Sequence, residues 1–144
     1  MRRLVVYCVV LAAFDASAKD LTFSGTAAQE CDIQISREGT LNIEGTTVAT
    51  GTTAEIVVTN NSANTFTLNI VDPGDFTTKP SGYTGTATLD AKMTLTGANA
   101  DSSVDNKSLS SVGKDTVTID ITGTTNIPVV AGDYTAVAVV SCDA

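Results

Sequence analysis

The side chains that most often move protons or bind transition metals are nearly missing from this sequence. It has no histidine and three cysteines, Cys8, Cys31 and Cys142. Without histidine, the Ser–His and Cys–His pairs that activate a nucleophile cannot be assembled. Zinc needs free Cys or His ligands. Carboxylates are plentiful, with 16 Asp and Glu in all, and two of them flanking a sugar bond are the equipment of a glycosidase. However, Asp72, Asp75, Asp101, Asp105 and Asp133 fall in turn-like stretches, and Asp90 and Asp120 on outward strand positions. Asp is favoured in turns for backbone reasons. The segment 99–106, with Asp101 and Asp105, is where a calcium ion would be sought, but its spacing does not match an EF-hand loop, which also requires a Gly and a terminal Glu. Asn60-Asn-Ser62 and Asn106-Lys-Ser108 fit the glycosylation sequon, which matters only in a host that uses it. The residue inventory therefore points to no enzyme, no metal and no cofactor.

Met1-Arg-Arg3 is a basic start, Leu4 to Phe14 an apolar run, and Ala16-Ser-Ala18 a small-x-small cleavage site. Residues 1–18 read as a secretory signal peptide. The run is too short to span a membrane as a helix. Cleavage after Ala18 leaves 19–144, enough for one domain with a core. Cleavage also removes Cys8. The two cysteines left in an exported chain, Cys31 and Cys142, predict one disulfide. It closes a loop of roughly 110 residues, worth up to ~4–5 kcal/mol in the chain-entropy treatment.

The whole chain carries 8 Lys and Arg against 16 acidic residues, net −8, and Arg2 and Arg3 leave with the leader. No basic cluster exists, so nucleic acid is excluded as a partner. Thr is the commonest residue and Val, Gly and Ser are abundant, which is the composition of an all-β protein.

The elements that must position these residues are strands. In Asp20–Cys31, Leu21, Phe23, Gly25 and Ala27 share one parity, the pattern of an extended strand with one apolar face. This segment reads either as the first strand of a β-sandwich or as a strand donated to another chain. Cys31, Ile33 and Ile35 continue the alternation, and Leu41 and Ile43 make a short strand ended by Gly45. Glu55–Thr59 and Thr65–Val71, separated by Asn60–Asn64, form the best hairpin candidate. Phe76–Gly85 reads as a loop. Thr86–Thr96 alternates, with Ala87, Leu89, Ala91, Met93 and Leu95 on one face. The stretch 97–114 reads as a long polar loop holding at most one short strand. Val117, Ile119 and Ile121 mark another strand, Ile127–Gly132 a connection, and Asp133–Cys142 the last strand. About seven strands without a helical-period segment favour an immunoglobulin-like two-sheet sandwich over a closed barrel.

In the last strand Tyr134, Ala136, Ala138, Val140 and Cys142 share a face, as Cys31 does with Ile33 and Ile35. If the isoleucine face is buried, both cysteines can point into the core, with the first and last strands side by side.

Leu21-Thr-Phe-Ser-Gly25, followed by Cys31-Asp-Ile33, resembles the N-terminal extension of chaperone–usher pilins, the subunits of type 1 and P-type fimbriae of Gram-negative bacteria. Ala131-Gly-Asp-Tyr-Thr-Ala-Val-Ala-Val-Val140 is similar to the terminal strand of such pilins. The resemblance implies residues 19–30 as a donor-strand extension and 31–144 as an immunoglobulin-like sandwich lacking its last strand. In the family, a periplasmic chaperone first fills the resulting groove, and the next subunit's extension replaces it at an outer-membrane usher. This is β-strand addition, and head-to-tail contacts of this kind do not close, so they build filaments. The resemblance assigns Leu21, Phe23, Gly25 and Ala27 as donor residues and places Tyr134, Ala136, Ala138 and Val140 on the strand bordering the acceptor groove. The second cysteine lies much further from the first than in many of these pilins, and the family's terminal aromatic motif is replaced by Ser141-Cys-Asp-Ala144.

The expected function is thus a structural subunit of a surface fimbria, exported through the periplasm, polymerising with identical or related subunits and supporting adhesion to a host receptor the sequence does not name. The alternative is a secreted, self-contained lectin-like or adhesive sandwich using Phe76–Gly85, with Phe76 and Tyr83, or the 97–114 loop as its contact surface.

Overall fold

A computed structural model describes Thr22 and residues 24–144. The signal-peptide reading of 1–18 and the donor assignments of Leu21 and Phe23 lie outside these residues. Among the described residues all regular structure is β. The strands are β1 (Cys31–Arg37), β2 (Thr40–Glu44), β3 (Thr47–Thr52), β4 (Ala54–Asn60), β5 (Thr67–Val71), β6 (Ala87–Gly97), β7 (Asp101–Val104), β8 (Asn106–Ser108), β9 (Gly113–Thr125) and β10 (Val139–Asp143).

The long strand β9 is the axis of the larger sheet. Along one side it pairs antiparallel with β6, from Ala87↔Thr125 to Gly97↔Asp115. Along the other it pairs with β4 in its first part and with β3 near its end. Beyond these, β1 pairs with β4 and β2 with β3. The edge β1–β2 therefore follows the bend of β3–β4. Gly39 sits inside this bend, where a Cβ would lie 2.9 Å from the Ala54 nitrogen and 3.0 Å from the Thr52 oxygen. Only a residue without a side chain lets the two bent ribbons come so close. The smaller sheet has the order β10-β5-β8. Together they form an immunoglobulin-like β-sandwich.

Alternation positions the core as the sequence implies. Ala87, Leu89, Ala91, Met93 and Leu95 are all buried, and Val117 and Ile119 face them from β9. Leu68 and Ile70 of β5 meet Ile56 and Val58 of β4 across the two layers. A second cluster gathers Val48, Phe76, Tyr83, Ala87 and Leu89, with Tyr134 packed against it.

Four sequence readings are corrected. The segments 55–59 and 65–71 are not a hairpin: β4 pairs with β1 and β9, while β5 pairs with β10 and β8 in the other sheet. The Asn-rich link crosses between layers. The stretch 47–52, between the strand ended by Gly45 and Glu55–Thr59, is itself a strand paired with β2 and β9. The polar run 97–114 contains two short strands, and its Leu109 is fully buried. Phe76 and Tyr83 are 5% and 6% exposed, so they support the core and offer no contact surface.

A buried polar cluster closes one end. The Asp115 carboxylate, fully buried, accepts hydrogen bonds from the Asn99 backbone N–H and side-chain amide, both at 2.7 Å. The Asn99 amide also exchanges bonds with the Ser111 backbone, to which Asn60 Nδ2 donates as well.

Candidate strand-binding groove

The two sheets do not close over each other along one side. Between the edge β1–β2 and the chain from Val129 to Val140 runs an open groove of about 1510 Å³. Ile33, Ile35, Leu41 and Ile43 line one wall, and Tyr134, Ala136, Ala138 and Val140 the other. The floor is the core itself, with Ile56, Ile119 and Ile121 reaching it. Ile35 apart, the apolar residues of these walls pack against the core on one side and are only half-buried. Ile35, 76% exposed, is the extreme case.

The second wall is extended but only partly regular. Strand β10 pairs with β5 from Val139↔Val71 to Asp143↔Thr67. Upstream, Thr135 is held to the chain beside it by bonds with Thr77 and Thr78. Successive residues of an extended chain aim their peptide groups to opposite sides. Downstream of this bridge Ala136 and Ala138 line the groove and belong to no strand. Among the described residues neither has a backbone partner outside the strand ladders. The groove therefore combines apolar pockets with a stretch of wall whose main chain bonds to no other described backbone. The small side chains of Ala136 and Ala138 make the middle of that wall deep.

The far end is framed by Tyr134. Its ring packs against Phe76 at 4.9 Å and Tyr83 at 5.4 Å between centroids. Its hydroxyl donates to the Val130 carbonyl and accepts from the Val130 N–H. Below this cluster Asp75 holds the loop. Its carboxylate accepts from Lys79 Nζ and from the N–H groups of Phe76 and Ala87. Burial alone would push the Asp75 carboxyl up, but these bonds outweigh it and hold the group below its ordinary value.

The near end is closed by the disulfide. Cys31 and Cys142 are bonded, with Cα atoms 6.4 Å apart. They belong to different sheets, so the first and last strands are not hydrogen-bonded neighbours; they are the two rims of the groove, tied at one end. Beyond the tie, residues 24–30 form no strand and are exposed, Gly25 and Ala27 included. The root of this segment is fixed by Asn61, whose side chain accepts from the Glu30 N–H at 2.7 Å and donates to the Ala28 carbonyl at 2.9 Å. The Asn61 backbone N–H donates to the Glu30 carbonyl. Sequence reading placed Asn61 in a hairpin turn and gave no sign of this contact.

The acidic residues weighed for calcium are engaged by lysines. Asp101 bonds Lys107, which lowers the Asp101 pKa, and Asp105 bonds Lys92, which raises that of Lys92. Comparison of the chain with protein-family models, curated proteins and solved structures finds no match.

Proposed function

We propose that the groove is the acceptor for an extended segment of another subunit, and that the protein is a structural subunit of a surface filament built by strand addition. The observation that carries this reading is the coincidence of an exposed apolar channel with a wall, at Ala136 and Ala138, whose peptide groups bond to no other backbone among the described residues. Such an edge invites pairing with another chain. A strand entering it gains main-chain hydrogen bonds for affinity and side-chain pockets for register.

The occupant is the segment 19–30 of a second copy or of a related subunit. Leu21, Phe23, Gly25 and Ala27 give it one apolar face at strand period. Burying a Leu or Phe side chain contributes about 1.5–3 kcal/mol, so two such plugs give the segment real affinity before any main-chain bond is counted. Because the segment and the groove belong to different parts of the chain, repetition is head to tail and open-ended. The reading brings with it a periplasmic chaperone that covers the groove before assembly, an outer-membrane usher and a location on the cell surface. It assigns the protein no catalytic role.

The test is denaturing electrophoresis of surface-extracted protein with and without heating. The reading expects an oligomer ladder without heating that collapses to monomer when heated, and no ladder from Phe23→Asp. A single monomer band under both conditions from folded protein would favour the self-contained binding module.

A further inference from the structure

We infer that Asn61 and the Cys31–Cys142 bond act together to steer the N-terminal segment away from the chain's own groove, so that the groove is kept for a second copy. This rests on the reading of the groove as a strand acceptor.

Residues 28–30 continue the line of β1 past the end of β4, held by three hydrogen bonds to Asn61. The groove lies in the opposite direction: its lining begins at Ile33 on one rim and ends at Val140 on the other. The disulfide joins the rims between these two regions. A segment seeking its own groove must therefore reverse and pass the bridge.

With the mature chain starting at Lys19, about nine residues precede Ala28, a reach of roughly 30 Å. A tight reversal takes about two residues. Running back alongside Ala28–Asp32 to the level of Ile33 takes about five more. About two remain, too few to follow a rim that extends from Ile33 to Ile43. Releasing Asn61 moves the reversal point toward Cys31 and returns several residues to the segment. Asn61 is thus a positioning residue. It touches the root of the extension and not the groove, and no charged partner is needed for its bonds. An extension anchored this way meets the groove of a neighbouring copy at full length.

The experiment refolds the full mature chain over a hundredfold range of dilution and follows mass by light scattering and melting temperature. Wild type is expected to melt at a temperature that rises with concentration, because its groove is filled only between chains. Asn61→Ala removes two side-chain hydrogen bonds that self-insertion must otherwise break. It is expected to shift the monomer-to-oligomer ratio toward monomer by roughly tenfold. A second variant with four Gly-Ser residues inserted between Ala28 and Gln29 supplies the missing reach and should give monomers with concentration-independent melting. A synthetic peptide of residues 19–28, added in excess to wild type, separates the two layers of the argument. If the peptide shortens the oligomers but both variants keep the wild-type ratio, the steering role is overturned and the acceptor groove stands. If the peptide has no effect, the acceptor reading fails and the steering role with it.

Discussion

Cys31 and Cys142 are covalently joined although their strands lie in different sheets and share no ladder. The bond ties two strands that border the groove, β1 and β10, at the end from which the N-terminal segment departs. Both strands also pack against the same core cluster, and the disulfide adds a covalent limit to their separation at this end.

Replacing both cysteines by serine is therefore expected to lower stability by about 2–4 kcal/mol, the usual range for such a bond. It is also expected to weaken strand capture. Chemical denaturation of the oxidised chain against the double variant checks the first. Peptide affinity at a temperature where both are folded checks the second.

The middle of the second wall is deep because Ala136 and Ala138 are small. Ala138→Phe is expected to occupy the groove from within and reduce assembly at least tenfold. Its side chain enters open space, so the melting temperature of the unassembled chain should stay the same or rise. Sedimentation and melting of the same sample separate lost assembly from lost folding.

Much of this architecture is legible in the sequence, and the reasons for the exceptions are physical. The parity of Ala87–Leu95 and of Val117–Ile121 fixes which side chains enter the core, because each strand has one buried face and a slip of one residue would invert it. The parity of Tyr134–Val140 matches its half-buried side, but of the expected strand Asp133–Cys142 only the part from Val139 is regular, and residues of both parities line the groove. Strand β3 escapes notice because Thr47–Thr52 carries threonine and glycine where a strand signal needs large apolar residues. The false hairpin at 55–71 arises because alternation identifies a strand but carries no information about its neighbour. Here the turn-like asparagines cross between layers. Leu109 stands alone in a polar run, and Asn61 acts through contacts with chain 31 and 33 residues away, so no local pattern reveals either.

The buried pair Asn99–Asp115 gives a stability prediction without reference to function. Asp115→Ala leaves the buried Asn99 N–H without its acceptor and its side-chain amide with only the Ser111 carbonyl. The expected loss is about 2–4 kcal/mol, several-fold more than an exposed Asp→Ala change. Urea denaturation of the single variant measures it.

Asp75 sets a dependence on acid. Its carboxyl titrates below the ordinary value of 3.8 in the folded chain because Lys79, Ala87 and Phe76 hydrogen-bond the charged form. A depressed folded-state pKa adds stability above the unfolded value, and that stability is lost as pH falls through the folded value. The melting-temperature difference between wild type and Asp75→Asn should be full near neutrality and shrink below about pH 4. Melts recorded from pH 7 to pH 2.5 test this, and a difference that grows on acidification contradicts it.

The central claim is that the N-terminal segment of one copy lies in the groove of another. A photo-crosslinking amino acid placed at position 23, in assembled protein prepared from a mixture of isotopically light and heavy chains, tests it most directly. The account predicts crosslinks to the stretch from Tyr134 to Val140 and to Ile33–Ile43, joining light to heavy chains in the proportion expected for random mixing. Crosslinks confined to chains of one isotope, or falling on the outer faces of the sheets, would contradict it.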